Sequence, residues 1–182
     1  MSVVAGLYVC PAGPGFLTER REVVTVVANG FEGDKHANWE RGADSRAKPY
    51  PRGTTIWNSR QLSIVAEEEL AQIAASLELA TIAPEWIGAN ICTRGLPALT
   101  RLPPGTRLVI EDVGLFVTAL NGPCLDAGKE LAKHVPDGGD ELAARFAKAA
   151  HDLRGLVAVV ERPGTIREGA PITVIEILRP RT

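Results

Sequence analysis

The chain is cut into short runs of β-branched and aromatic residues, and few of its stretches carry a helical period. Val3–Cys10 is the first run, ended by Pro11-Ala12-Gly13-Pro14-Gly15. Val23–Val27, Gln61–Val65, Arg107–Glu111, Leu115–Leu120, Leu156–Glu161 and Ile172–Leu178 follow, and all are predicted strands. Glu111-Asp112-Val113-Gly114 reads as a hairpin turn between two of them. Helical periodicity is clear over Ala66–Leu77, where Leu70, Ile73, Ala74 and Leu77 form an apolar stripe and Glu67, Glu68 and Glu69 occupy the dipole-favoured first turn. A second helix is predicted over Glu141–Leu153, with Asp140 as N-cap and Leu142, Phe146, Ala149 and Leu153 on one face. Residues 125–133 can begin a short third one. Strands outnumbering helices in this way do not make the alternating βαβ pattern of a parallel sheet. The expected fold is mainly β with helices: a small, mostly antiparallel barrel with helices at its rim.

A length of 182 residues suits a single domain spanning 1–182. A formal net charge of -2 argues against nucleic-acid binding driven by bulk charge. No apolar run is long enough to span a membrane, and Met1–Leu7 lacks a basic leader region, so a cytoplasmic setting is expected. Three widely spaced cysteines make no disulfide framework, which agrees with a reducing compartment.

From Asn29 to Arg60 the periodicity fails, and irregular segments of this length are usually functional or disordered. Between Lys35 and Arg60 stand six basic residues (Lys35, Arg41, Arg46, Lys48, Arg52, Arg60) against two acids, Glu40 and Asp44. In Gly30-Phe31-Glu32-Gly33-Asp34-Lys35-His36, Asp34 and His36 fall on one side of an extended segment. The structural alternative is a turn whose carboxylates cap backbone amides. Arg60 carries the planar fork that clamps phosphate, although a solvated arginine is the commoner case. Asn90, in Gly88-Ala89-Asn90-Ile91-Cys92-Thr93-Arg94-Gly95, can meet a heterocycle edge or tie down its own loop. Cys10 and Cys92 are expected to pack as small hydrophobes. Zinc is disfavoured, because there is no Cys-x-x-Cys and His134 and His151 have no ligand spacing. Cys124 differs from the other cysteines. It follows Asn121-Gly122-Pro123 between a strand and a helix start, where outward backbone N–H groups favour a thiolate. On the residues alone it is divided evenly between a structural and a reactive thiol.

The order Gly30–His36, Arg60–Ile64, Gly88–Ile91, Pro123-Cys124, Arg154–Val160, Gly164 and Gly169 resembles the MOSC family, named for the C-terminal domain of molybdenum-cofactor sulfurases, in its small stand-alone bacterial form. The resemblance runs from about Val3 to Ile177. It implies a β-barrel similar to the pyruvate-kinase barrel domain and a cleft for molybdopterin, a pterin bearing a dithiolene and a phosphate. It further implies Cys124 as molybdenum ligand or carrier of sulfane sulfur, with Asp34 and His36 lining the cleft as catalytic groups. Lys35, Arg60, Asn90, Arg94 and Asn121 are implied contacts to the cofactor. The chain departs from many stand-alone relatives in having Ala89 where they have glutamate, Asn121 near a common arginine, and Gly169-Ala170 in place of a late Gly-Asp.

Four functions follow from the resemblance. The first is a molybdenum-cofactor enzyme reducing N-hydroxylated compounds, with Cys124 on the metal. Such an enzyme needs an electron-donating reductase, because the chain carries no flavin, haem or iron–sulfur motif. The second is a sulfur carrier that forms a Cys124 persulfide and is loaded by a cysteine desulfurase. The third is a cofactor-binding or storage protein, and the fourth a barrel that has lost its ligand. A small-molecule substrate, no nucleic acid, no membrane and a monomer or homodimer complete the expectation.

Overall fold

The computed structural model describes residues 1–176. Thirteen strands and three α-helices alternate along it in the following order. The strands β1 (Val3–Val9), β2 (Glu19–Arg21), β3 (Val23–Val27), β4 (Gly30–Phe31), β5 (Glu40–Gly42), β6 (Thr55–Trp57) and β7 (Leu62–Ala66) come first. Helix α1 (Glu67–Ser76) and strands β8 (Ile91–Arg94), β9 (Arg107–Ile110) and β10 (Val113–Leu120) follow. Helices α2 (Leu125–Lys133) and α3 (Asp140–Ala149) precede β11 (Leu156–Arg162), β12 (Gly164–Arg167) and β13 (Ile172–Ile175). All seven predicted strands are present. The last two residues of the predicted Ile172–Leu178 strand lie outside the described residues.

The principal sheet runs β13-β9-β10-β11-β7-β8-β1-β2. Its neighbours pair antiparallel except β7 with β8. It also curls back on itself. Val3 bridges Pro171, Val4 N–H donates to the Ala170 carbonyl at 2.9 Å, and Ile172 N–H donates to the Ser2 carbonyl at 2.9 Å. The fold is therefore the expected mainly-β barrel-like sheet with helices at its rim. A second sheet, β12-β3-β4, and the β5-β6 hairpin lie beside it.

The period of two decides which side chains fill the interior. On β7, Leu62, Ile64 and Ala66 join Leu7, Ile91, Leu108, Leu115 and Leu156 inside the barrel. Val65 points the other way and meets Leu70 and Ile73 of α1 and Phe146 of α3. Ile91 and Cys92 repeat this split on β8. The predicted stripe Leu70, Ile73, Ala74 and Leu77 is buried.

Helix boundaries shift from those expected. Ala66 ends β7 and is the N-cap of α1, with no side-chain cap bond. Gly139, not Asp140, is the N-cap of α3, so Asp140 becomes a first-turn acid facing the dipole rather than a cap. That helix stops at Ala149, short of Leu153. The predicted hairpin turn tightens to Glu111-Asp112, with Glu111 at φ 53 and Val113 already in β10.

Candidate functional site

Residues from one rim of the barrel converge on a cavity of about 260 Å³. Arg60 and Ser63 come from the start of β7, Asn121 and Cys124 from the β10–α2 connection, and Arg154 from the approach to β11. Cys124 is the N-cap of α2, in extended conformation at φ -130 and ψ 158, and it is the exposed one of three free cysteines. Helix α2 is held by burying Ala127, Gly128, Leu131 and Ala132. Gly128 lies so close to the Ala143 backbone that any side chain there would collide with it. The cap position, and with it the sulfur, is thereby fixed against α3.

One wall of the cavity is a chain of hydrogen bonds. Arg60 Nη2 donates to Asn121 Oδ1 at 2.6 Å, and Asn121 Nδ2 donates to Ser63 Oγ at 2.9 Å. Arg154 Nη1 reaches the same hydroxyl oxygen at 3.5 Å, and its Nη2 donates to the Ile87 carbonyl. Ser63 Oγ thus accepts twice, and its own proton has no acceptor among the described residues. Arg154 is only 6 % exposed. Neither Arg60 nor Arg154 forms an ion pair with a carboxylate among the described residues. Burial lowers Arg60 to about 10, with the nearby charges of Arg46 and Arg41 acting in the same direction. Burial also lowers Arg154 to about 10, partly opposed by its electrostatic interaction with Cys124. Buried cations without counter-charges are costly, and an anion in the cavity removes that cost.

Gly155 makes the seat of Arg154 possible. It adopts φ +93, and a Cβ there would run into the Ile64 carbonyl, so the backbone passes β7 only as glycine. Its carbonyl accepts from Asn121 N–H at 2.9 Å, which ties the two ends of the arginine wall together.

Asp34 anchors the opposite side. Its side chain has 0 % exposure. Oδ2 accepts from Cys10 N–H at 2.7 Å and Asn90 Nδ2 at 2.8 Å. Oδ1 accepts from His36 N–H at 2.8 Å and from His36 Nδ1 at 3.0 Å. Burial pushes its carboxyl up, but the bonds from His36 and Cys10 outweigh this and hold it below the usual carboxylate range. A carboxylate on Nδ1 requires the proton there, leaving Nε2 of the 48 % exposed ring free. His36 lines the cavity. The segment is a turn rather than extended, with Asp34 N–H on the Phe31 carbonyl at 3.1 Å, so the amide-capping reading holds, and Asp34, expected on the cleft wall, lies behind His36 and off the cavity lining.

Asn90 lines the cavity but spends its amide on the fold: Oδ1 accepts from Ser63 N–H at 2.9 Å, and Nδ2 serves Tyr8 and Asp34. Lys35 stands in an adjoining cavity of about 380 Å³, which shares His36, Arg46 and Arg60 with the first. Its Nζ donates to the Gly13 and Gly15 carbonyls, holding the loop that carries Phe16 to the cavity wall. Arg46, from the basic stretch, also lines both cavities but is paired with Asp44.

Arg94 is a correction. It lies at the far end of β8 from Asn90, bonded to Glu67 at 2.6 Å and lining a different cavity of about 770 Å³. The four-residue strand carries it across the sheet, away from Cys124. Sequence reasoning missed Ser63 and gave Arg154 no role in the site. The signal available was an arginine set between the α3 segment and the Gly155-Leu156 strand start. Among the described residues no three His, Cys, Asp or Glu side chains cluster in a way that would hold a metal ion.

The model of the MOSC domain matches residues 48–173. The chain belongs to the MOSC family. A Bacillus subtilis (strain 168) protein, YuaD, provisionally named for metal-sulfur cluster biosynthesis, is 36% identical over 170 residues, covering 93% of this chain and 88% of YuaD. The crystal structure of YuaD superposes with a TM-score of 0.92 at 34% identity, covering 98% of each chain. YiiM from Geobacillus stearothermophilus shares the fold at a TM-score of 0.67 and 14% identity, covering 97% of this chain and 76% of that one. Among the described residues no helix is long and apolar enough to cross a membrane.

Proposed function

We propose that this MOSC chain binds a molybdenum cofactor in the Cys124 cavity, with the Cys124 sulfur as its protein ligand to the metal, and reduces N-hydroxylated compounds. The observation that carries this reading is an exposed thiol at a helix N-terminus, beside two inward guanidinium groups that have no carboxylate partner among the described residues. The donor set fits such a group. A thiolate is a soft ligand, and a lone protein thiol suits a metal whose other ligands arrive with the cofactor. Arg60, Ser63 and Arg154 offer N–H and O–H donors to a phosphate. The adjoining cavity behind His36, Arg46 and Arg60 gives an extended pterin room.

When bound, the cofactor supplies two-electron redox chemistry at an open metal position. The chain's own residues do the rest. Asp34 holds His36 in one tautomer, so that Nε2 can take or give a proton at the cavity. Lys35 holds the loop that carries Phe16 to the cavity wall. Electrons come from a separate reductase in a reducing cytoplasm.

A second reading is favoured by YuaD, whose name places that relative in metal-sulfur cluster biosynthesis. In it Cys124 carries sulfane sulfur received from a cysteine desulfurase. One comparison divides the two: metal, pterin and cyanide-releasable sulfur are measured in wild type and Cys124→Ser purified from a host that makes molybdopterin. Metal and pterin lost in the variant support ligation. Sulfane sulfur without metal supports the carrier, and neither in wild type sinks both.

A further inference from the structure

The sulfur-carrier reading leaves the donor open, and the charge of the cavity narrows it. A thiolate and an anionic donor repel each other, so a site that joins them must supply positive charge on the approach side. Arg60 and Arg154 supply it without a carboxylate partner among the described residues, and the Ser63 hydroxyl adds an uncommitted donor between them. Arg154 is 6 % exposed and lines the cavity that Cys124 opens into. Asp126, in the first turn of α2, is the carboxylate on the cavity lining, and it forms no ion pair with either arginine. At about 260 Å³ the cavity has ample room for a small sulfur oxyanion.

We infer that the cofactor-free cavity accepts thiosulfate-class sulfur oxyanions and that Cys124 takes their sulfane sulfur as a persulfide. The inference rests on the sulfur-carrier reading and gives it a small-molecule donor. Cys124 loses its proton to water, and the thiolate attacks the outer sulfur of thiosulfate. A bond forms between Sγ and that sulfur, and the bond between the two thiosulfate sulfurs breaks. Its electron pair leaves with the sulfonate group as sulfite. The products are the Cys124 persulfide anion and sulfite, so charge and electrons balance without an added oxidant or reductant. Arg60, Ser63 and Arg154 hold the sulfonate oxygens, where leaving charge develops.

The test uses the full chain, reduced, desalted and free of cofactor. It is exposed to thiosulfate, with sulfite release and the intact mass as readouts. One added sulfur and one sulfite per chain are expected, with both absent in Cys124→Ser. Arg60→Gln should slow loading by about tenfold or more. Because Arg154 is buried, Arg154→Met is used only if its circular dichroism matches wild type. The ratio of Cys124 alkylation rates by iodoacetate and iodoacetamide gives an independent measure of the local field. It should fall in Arg60→Gln by about threefold or more, whatever the thiolate fraction. Loading by a desulfurase with cysteine but not by thiosulfate overturns the donor and leaves the carrier reading standing. Loading by neither overturns both. Equal thiosulfate rates in wild type and Arg60→Gln overturn the role given to the arginine wall.

Discussion

Two cavities on this barrel hold arginines and a cysteine, and they treat them in opposite ways. The larger, about 770 Å³, lies between β1, β8 and α1 and is lined by Tyr8, Arg20, Cys92 and Arg94. Its arginines are neutralised within the chain, Arg20 by Glu168 at 2.5 Å and Arg94 by Glu67 at 2.6 Å. Its cysteine is buried, and burial pushes that thiol up to about 12. Burial likewise raises the Tyr8 hydroxyl. The smaller cavity keeps Arg60 and Arg154 without carboxylate partners among the described residues and presents Cys124 to solvent. Size and unbalanced charge therefore point to different places. A site built to receive an anion is recognised by the counter-charges its own chain does not provide.

The sharpest break of this contrast is thiol chemistry. Native protein treated with iodoacetamide should be alkylated at Cys124, with Cys92 slower by about a hundredfold or more, as peptide mass spectrometry would read; comparable rates would erase the distinction. Next comes the anchor of the smaller cavity. Asp34→Asn should cost roughly 2–3 kcal/mol in urea unfolding, because an amide cannot accept from Cys10, Asn90 and His36 together. The carboxyl of Asp34 is lowered in the folded chain, so its stabilisation is present above its unfolded value of about 3.9 and fades as pH falls below it. The variant should accordingly show a flatter loss of stability between neutral pH and strong acid. A parallel curve would remove Asp34 as the cause.

A smaller effect is expected from inorganic phosphate, which should raise the melting temperature of the cofactor-free protein by about 2 °C or more. Arg60→Gln should abolish that rise. Smallest of all, Arg94→Gln should leave pterin content and melting temperature unchanged, since its exposed pair with Glu67 faces the other cavity. Loss of pterin in that variant would restore the cofactor role expected from sequence.

The barrel was legible because alternation is local: Leu62, Ile64 and Val65 announce two faces within one strand. Cys124 was legible for a similar reason, since Gly-Pro-Cys between strand and helix is read over a few residues. The arginine wall was not. Ser63 meets Asn121 and Arg154 across sequence separations of 58 and 91 residues, and burial of a guanidinium is a property of the assembled fold. Arg94 misled because proximity to Asn90 along a strand says nothing about which end of the strand faces the site.

Gly155 has a consequence for how this surface can change over evolutionary or laboratory time. Its positive φ and its contact with the Ile64 carbonyl leave no room for another residue. The seam where β11 joins β7 and the depth of Arg154 are thus set by one position. A mutational library can repaint the residues lining the cavity, but it cannot slide the buried charge along the strand without unpicking the sheet.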